Sequence, residues 1–423
     1  MKYSTIVFCT LIFISCTIKK NINANLMVGV AAYPINPEVG AFIAGDAHNR
    51  KFTGIHDSIY VKAIVLSDSK NHIALLTFDC IGLLYPTLLE IRKEVALKIS
   101  PTEFDPSHIV TSSTHTHSGP DVTGIYGPDQ MTTGIDTVYM KKLVQTSVAT
   151  IVEAWNNRKA ATMQYAATTF GEEWVYNISE PAELDRSVNI LQFVDSAGKS
   201  IATLTNFACH PTFLDGVSTL VSADYVGSIY KHLDQAIGGV NFFLQGPSGG
   251  WIQPEHEPKT FESADKRGRE LGVVVESALK SPIKMKGSDI LYKSKIFKLP
   301  VSNKGFQQLA AAGVVKRNIT DSVTTEVAWF SLGTAQFVTH PAETVPAHAL
   351  ESKGYMKMDG PKFVLEIGMD GLGYIVKPTF FDTAAHIPHS EYLTRMSVDS
   401  EAGPILMKTI KQMAEEQQVS SIK

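Results

Sequence analysis

The sequence has few cysteines, no excess of positive charge and no long apolar run. Only four cysteines occur in 423 residues, and two of them, Cys9 and Cys16, lie close to the amino terminus. The remaining pair cannot form a disulfide framework in so long a chain, so we expect Cys80 and Cys209 to be buried small apolar residues. Lysine and arginine number 38 against 42 acidic residues, without a basic stripe, and we therefore expect no nucleic-acid partner.

The amino terminus carries an apolar segment that is too short to span a bilayer comfortably. A short basic start precedes the run STIVFCTLIFIS, which is followed by Cys16. This arrangement resembles a bacterial lipoprotein signal, in which the cysteine is lipidated, although Phe13 stands where leucine is usual. An ordinary secretory signal cut before Asn25 is the alternative. Both interpretations make residues 1–24 a signal peptide of an exported, periplasmic or cell-envelope protein, attached to the membrane if Cys16 is lipidated.

Strand and helix patterns alternate along the rest of the chain, without an internal repeat, a low-complexity segment or a long linker. The β-rich runs 59–68 and 72–79 are joined by a short turn, and apolar residues recur at helical spacing in 136–155 and 402–418. This mixture predicts an α/β (mixed α+β) fold of layered mixed β-sheets with flanking helices. We expect a single domain over residues 26–418.

Polar residues of metal-binding type follow several of the apolar strands. In layered α/β folds, ligands bind in the crevice outside strand ends, where loops carry function on a rigid frame. If these strand ends are adjacent in space, the polar side chains form a cluster. The residues concerned are His115 with His117, His210, His340 with Glu343, Tyr374 and Asp79.

Taken one at a time, these residues also have ordinary structural explanations. A His-x-His pair can bind a metal with both rings, or divide into a ligand and an acid–base group, but it also occurs in polar loops. His210 alone fits a core histidine, Glu343 fits a first-turn carboxylate favoured by the helix dipole, and Tyr374 fits a strand aromatic. The pattern by itself leaves both interpretations open.

Several segments taken together resemble a known family. GVAAYPINPEVGAFIAGDAHNR with GIHDSIYVKAIVLSD, STHTHSGP, NFACHPTFL and THPAETV are similar, in order and spacing, to the neutral/alkaline non-lysosomal ceramidases. The resemblance implies one zinc ion held by His115, His210, Glu343 and Tyr374, with His117 serving proton transfer. It implies a zinc-dependent amidohydrolase that cleaves an N-acyl bond, and a small-molecule acyl-amide or lipid substrate as in sphingolipid metabolism.

The chemistry of these residue types agrees with that implication. Two imidazoles, a carboxylate and a weak phenol oxygen leave zinc room for a water, whose pKa the ion lowers toward neutrality. The imidazole of His117 can accept a proton and pass it to the leaving amine. Ligand histidines usually donate their second ring N–H to an acceptor, and we expect Asp79 and Asp224 in that role.

Three departures from the family limit what the resemblance implies about the substrate. Ile178 stands where ceramidases carry an arginine that helps catalysis, and Trp251 and Gln253 replace an acid and a serine. The sequence also ends before the C-terminal immunoglobulin-like domain of known members, so we expect none here. We expect long-chain ceramide to be a poor substrate. Phe380 and Phe381 could join Trp251 in an apolar or sugar-stacking wall, or simply pack in the core.

Two other functions fit the same sequence. One is a zinc hydrolase that acts on a non-lipid acylated sugar or peptide, and the other is a binding protein of the same fold that has lost catalysis. Retention of all four ligand positions together with His117 favours an enzyme, because a binding protein has no need of a proton shuttle. The oligomeric state is left open.

Overall fold

The structure, a computed structural model, describes the chain from residue 26 to residue 420, with side chains to residue 416. The predicted signal peptide at 1–24 and the lipidation of Cys16 lie outside the described residues. The α-helices are α1 (Tyr85–Ala96), α2 (Thr137–Asn156), α3 (Tyr225–Ala236), α4 (Phe261–Ala278), α5 (Lys304–Ala311), α6 (Pro346–Tyr355), α7 (Ser390–Arg395) and α8 (Ala402–Ser420). Short 3-10 helices are formed by Pro106–His108, Pro378–Phe381 and Thr383–Ala385.

The strands are β1 (Met27–Pro34), β2 (Gly54–Ile55), β3 (Tyr60–Ser67), β4 (His72–Phe78), β5 (Ile109–Ser113), β6 (Lys159–Ala160), β7 (Thr162–Thr169), β8 (Val175–Asn177), β9 (Ser187–Val194), β10 (Ser200–Phe207), β11 (Leu220–Val221), β12 (Val240–Gln245), β13 (Ile252–Pro254), β14 (Ile283–Lys284), β15 (Ile290–Pro300), β16 (Ser322–Leu332), β17 (Ala335–Thr339), β18 (Glu343–Thr344), β19 (Lys362–Leu365) and β20 (Tyr374–Ile375).

Three sheets contain most of the strands, and each combines antiparallel strands with one parallel pair. The strand orders are β5-β4-β3-β1-β6, β12-β10-β9-β7-β14 and β15-β16-β17-β19. The parallel pairs are β4/β5, β10/β12 and β17/β19. Each pair is connected through a helix, respectively α1, α3 and α6, because parallel neighbours require a crossover connection. The predicted class of layered mixed sheets with flanking helices is confirmed.

The local sequence explains the elements that frame the first sheet. β3 and β4 form the predicted hairpin, with Ile64 opposite Leu75, and both strands are apolar because both of their faces are buried. α2 begins after Asp136, whose side chain accepts the backbone N–H groups of Val138 and Tyr139. Its apolar side packs on β1 and β3. The helix therefore covers one side of the sheet.

The first two sheets pack on each other, and helices cover their outer sides. β1 contacts β10 and β12, while α3 and α4 pack on the second sheet. One continuous cluster of buried apolar side chains includes Val65, Leu204 and Phe337, and so reaches all three large sheets. A second cluster joins the third sheet to α6 and α8. The division of the chain into one domain over 26–418 stays a prediction.

The longest antiparallel pair was not anticipated from the sequence. β15 and β16 pair in register from Ile290 opposite Leu332 to Pro300 opposite Ser322. β15 contains three lysines, and its Ile296 is 61% exposed. The strand therefore lacks the apolar alternation that marks a half-buried strand.

Two further observations concern the cysteines and the helices. Cys80 and Cys209 are buried and unpaired, which confirms the expectation for them. None of the helices formed by residues 26–420 combines the length and the apolarity that a bilayer crossing requires.

A buried ion pair connects the first sheet's helix to the third sheet, and we expect its loss to destabilise the fold. The guanidinium of Arg92 on α1 contacts the carboxylate of Glu326 on β16 at 2.6 and 3.2 Å, and both side chains are at most 10% exposed. Glu326→Gln leaves a buried arginine without its counter-charge, which costs about 3–5 kcal/mol. Urea denaturation measures the change in the free energy of unfolding.

The matched control is a surface pair. Lys280, just after the end of α4, lies 3.7 Å from Glu276 on that helix and is 69% exposed, so Lys280→Ala should cost less than about 1 kcal/mol. Equal effects of the two substitutions would contradict the prediction.

Candidate functional site

The carboxyl ends of strands from all three large sheets meet at one place. His115 and His117 follow β5, His210 follows β10, Glu343 follows β17 and Tyr374 follows β19. All four of these strands belong to the parallel pairs that the crossover helices connect. The structure thus brings the five predicted residues together, while their roles stay predictions.

One carboxylate oxygen lies between two imidazoles. Oε2 of Glu343 is 3.0 Å from Nε2 of His210 and 3.4 Å from Nε2 of His115. Nε2 of His117 is 3.4 Å from Nε2 of His115, and the three histidines offer ring nitrogens within 4.8 Å of one another. Ligand atoms about 2.0–2.1 Å from a tetrahedral zinc ion are roughly 3.3 Å apart. The spacing therefore suits a zinc ion.

Backbone carbonyl groups orient the two rings that contact Glu343. Nδ1 of His115 lies 2.5 Å from the carbonyl oxygen of Ile81, and Nδ1 of His210 lies 2.8 Å from that of Ile252. A carbonyl oxygen can only accept, so in each neutral ring Nδ1 carries the hydrogen and Nε2 presents its lone pair. Both rings are thus arranged as metal ligands usually are.

The backbone conformation of His115 also supports a functional role for this residue. His115 has a φ of 71°, in the left-handed region that a non-glycine residue rarely adopts. Such a conformation costs about 1–3 kcal/mol and clusters at functional sites. Here it turns the chain at the end of β5, so that the ring faces His210 and Glu343.

Glu343 and Tyr374 are paired neighbours in a short parallel ladder. β18 and β20 place the two residues opposite each other, and the backbone N–H of Glu343 donates to the carbonyl of Gly373 at 2.8 Å. Burial raises the pKa of Tyr374 well above its usual value, and the charge of Glu343 raises it further. The phenol is therefore neutral unless a cation lies beside it.

The electrostatics of the cluster favour positive charge. Burial alone would raise the pKa of Glu343 and lower that of His115, but their attraction outweighs both effects. The pKa of Glu343 is held well below its usual value, and that of His115 is raised. A buried carboxylate between imidazoles is a position that a metal cation can occupy with gain. The donor set of two imidazoles, a carboxylate and a phenol thus fits zinc.

Asp215 orients His117, and sequence reasoning missed it. Oδ1 of Asp215 lies 3.1 Å from Nδ1 of His117. Burial lowers the pKa of His117 against the attraction of Asp215, whereas His117 helps to hold the pKa of Asp215 below its usual value despite burial. Asp215 directly follows the NFACHPTFL segment, but only the folded chain shows which histidine it contacts.

Contrary to expectation, Asp79 and Asp224 do not accept hydrogen bonds from the rings of His115 and His210. Asp79 accepts the backbone N–H of Tyr60 at 2.9 Å and the hydroxyl of Tyr230 at 3.1 Å. Asp224 caps α3 and accepts the backbone N–H of Leu214 at 3.0 Å. The prediction for these carboxylates is wrong, because backbone carbonyls already occupy the Nδ1 side of both rings.

His340 also lies outside the cluster, although it directly follows β17. Its Nδ1 is 2.7 Å from Oγ1 of Thr344 and its Nε2 is 3.0 Å from Oγ of Ser352. Burial lowers the pKa of His340 to about 3. It is a neutral core histidine with both ring nitrogens bonded.

The residues that depart from the family pattern lie on one flank of the cluster. The backbone N–H of Ile178 donates to the carbonyl of Trp251 at 3.2 Å, and the Gln253 side chain bonds to Glu255. β13, which contains Gln253, is paired with β8. The carbonyl that orients His210 belongs to this flank, so the departures adjoin a predicted ligand.

The suggested aromatic wall has a different composition. The Trp251 ring lies against the His389 ring with centres 4.3 Å apart and planes tilted by 45°, and its centre is 5.2 Å from that of the Tyr392 ring. Phe380 is 3% exposed and packs in a small apolar cluster, with Phe381 half-buried against it. Phe380 and Phe381 therefore have the packing role.

A cavity of about 520 Å³ adjoins the cluster. His115, Glu343 and Tyr392 line part of it, and most of the remaining wall is apolar. Its size and apolar character are typical of small-molecule sites. Apolar side chains from α5, from the loop after β4 and from the loop after β19 contribute, among them Phe306, Leu309, Ile81, Leu84 and Ile367.

Sequence comparison relates the chain to ceramidases. Neutral ceramidase A of Dictyostelium discoideum is 24% identical over 232 residues, which are 50% of this chain and 32% of that protein. Neutral ceramidase B of the same organism is 24% identical over 214 residues, 46% of this chain and 29% of that protein. The matched part therefore spans about a third of these relatives.

Solved structures share the fold. Neutral ceramidase from Pseudomonas aeruginosa superposes with a TM-score of 0.70 at 16% identity, covering 92% of this chain and 73% of that one. A ceramidase complexed with C2 gives 0.73 at 14% identity, covering 93% and 75%. The profile described as neutral/alkaline non-lysosomal ceramidase, N-terminal, matches residues 27–246, more than half of the sequence. The chain belongs to the neutral/alkaline non-lysosomal ceramidase family.

Proposed function

We propose that the chain is a zinc-dependent amidohydrolase that cleaves an N-acyl bond. His115, His210, Glu343 and Tyr374 are the proposed zinc ligands. The observation that carries the proposal is the position of Glu343 Oε2 between the Nε2 atoms of the two histidines, whose opposite nitrogens are held by carbonyl groups. Membership of a family named for ceramidases supports an amide bond as the target.

His117 and Asp215 are the proposed proton-transfer pair. When bound, zinc supplies a water of lowered pKa and polarises the amide carbonyl. Asp215 accepts the Nδ1 hydrogen of His117, which leaves the Nε2 lone pair directed at the cluster, 3.4 Å from His115 Nε2. His117 can then accept a proton at Nε2 and return it to the leaving nitrogen, while Asp215 stabilises the imidazolium. A protein that only binds its ligand has no need of this pair.

The cavity is the proposed site of the acyl group. Its apolar wall reaches the cluster at Ile81 and Glu343, so an aliphatic chain can lie along it with its carbonyl at the metal site. Burial of each methylene contributes roughly 0.8 kcal/mol to binding. The sequence start supports export to the periplasm or cell envelope, with membrane attachment if Cys16 is lipidated.

Simple N-acyl amines should be better substrates than long-chain ceramide, by at least about tenfold in kcat/KM. Ile178 cannot donate the hydrogen bonds of an arginine, and Trp251 places a ring where the family has an acid. Zinc content and turnover of a panel of N-acyl amines, N-acyl sugars and ceramide provide the measurement.

Chelation of zinc, followed by its restoration, is the control for this panel. Activity that survives complete removal of metal would refute the zinc-dependent mechanism. Ceramide turnover equal to that of the best N-acyl amine would show that Ile178 and Trp251 do not disfavour ceramide.

A further inference from the structure

Two side chains of α7 line the same cavity as the histidine–carboxylate cluster. Tyr392 and Arg395 are three residues apart, which places them on one face of the helix. Both line the cavity, as do His115 and Glu343. The Arg395 guanidinium lies 5.5 Å from the centre of the Tyr392 ring, within the range of a cation–π contact. The positive charge is therefore held at the wall of the cavity that adjoins the cluster.

The helix that presents these side chains is firmly anchored. Leu393, which lies between Tyr392 and Arg395 in the sequence, is fully buried. Nδ2 of Asn303 donates to the carbonyl oxygens of Arg395 and Ser397, both at 2.8 Å. The backbone of Arg395 is thus fixed relative to α5, which forms part of the apolar wall.

The guanidinium of Arg395 has no carboxylate partner among residues 26–416. The other arginine of the cavity, Arg317, is bonded to Asp370 at 2.8 and 3.0 Å and to the carbonyl of Thr324. Its charge is therefore neutralised inside the protein. Arg395 is exposed, contacts Tyr392 and keeps its hydrogen-bond donors available to a ligand.

We propose that Arg395 binds a carboxylate on the amine side of the substrate, so that N-acyl amino acids are preferred to neutral N-acyl amines. The inference rests on the proposed amide hydrolysis. The proposal places the acyl chain along the apolar wall, the amide at the cluster and the amine substituent in the part of the cavity that Arg395 lines. A guanidinium pairs with a carboxylate through two parallel, charge-assisted hydrogen bonds. A neutral amine substituent offers it no such partner.

The test compares two substrates that differ only in charge, N-dodecanoylglycine and N-dodecanoylglycinamide. Zinc-loaded wild type should have the higher kcat/KM for the acid. Arg395→Ala should lower that value roughly 10- to 100-fold, mainly through KM, and leave the glycinamide value unchanged. Arg395→Lys should retain part of the preference. Arg269→Ala, which removes an exposed arginine from α4, should change neither.

A binding measurement separates this inference from the proposed function. Calorimetry in the His117→Ala background should give tighter binding of the acid than of the amide, and Arg395→Ala should abolish the difference. Equal binding of both compounds, or a preference that Arg395→Ala leaves intact, overturns the role of Arg395 even if amides are cleaved. Charge-dependent binding through Arg395 without turnover by wild type upholds that role and refutes amide hydrolysis.

Discussion

His115→Ala is expected to remove most of the zinc from the protein and to abolish turnover. Three ligands would remain, and one of them is a phenol whose pKa is raised by burial and by Glu343. Changing a residue that merely supports a ligand already lowers metal affinity about 10–100-fold. We therefore expect a loss of more than roughly 100-fold, and a similar loss for His210→Ala. Competition with a chelator of known affinity, together with elemental analysis, measures it.

The control is a histidine of another part of the fold. His232 on α3 lies 3.0 Å from Glu276, and His232→Ala should leave one zinc per chain. Stoichiometric zinc of unchanged affinity in His115→Ala would exclude this residue as a ligand.

His117→Ala should keep the metal and lose catalysis. Its Nδ1 is committed to Asp215 and its Nε2 faces His115, an arrangement suited to moving a proton beside the metal. Loss of a positioned general acid–base lowers kcat by about 10²–10⁴-fold. We expect the zinc affinity of His117→Ala to stay within a few fold of wild type when it is measured on the same samples as kcat.

Asp215→Asn tests whether the charge of Asp215 supports proton transfer by His117. The substitution keeps the shape of the side chain but removes the charge that stabilises an imidazolium, so kcat should fall less than in His117→Ala while zinc stays bound. The distance of 3.4 Å between His117 Nε2 and His115 Nε2 also suits a third imidazole ligand. If His117→Ala loses zinc as readily as His115→Ala, His117 is such a ligand.

Much of the fold could be predicted because local sequence and burial agree. β3, β4 and α2 show the periodicities of buried strands and an amphipathic helix, and tertiary packing reinforces them. β15 could not be recognised in the same way. Its lysines fit a strand with partly exposed faces, and pairing with β16 rather than apolar alternation defines it.

Some residues of the site could be predicted from the sequence, whereas their hydrogen-bond partners could not. The five residues of the cluster were proposed from strand ends and family resemblance, and the fold brings them together. The partners of their ring nitrogens could not be predicted, because carbonyl groups such as those of Ile81 and Ile252 leave no signature in side-chain identity. The role of Asp215 could not be predicted either, because its contact with His117 joins segments that are distant in the chain.

The origin of the cluster in three sheets also determines when it can form during folding. His115 lies in the first third of the chain, whereas Glu343 and Tyr374 lie in the last quarter. A partly synthesised chain therefore lacks half of the proposed zinc ligands. Zinc fingers use the metal to drive folding, whereas the ligand set proposed here is complete only once the third sheet has formed. Zinc would then stabilise a completed fold in proportion to the logarithm of its free concentration. A chain exported unfolded would have to take its metal from the compartment it enters, and not from the cytoplasm where it was made.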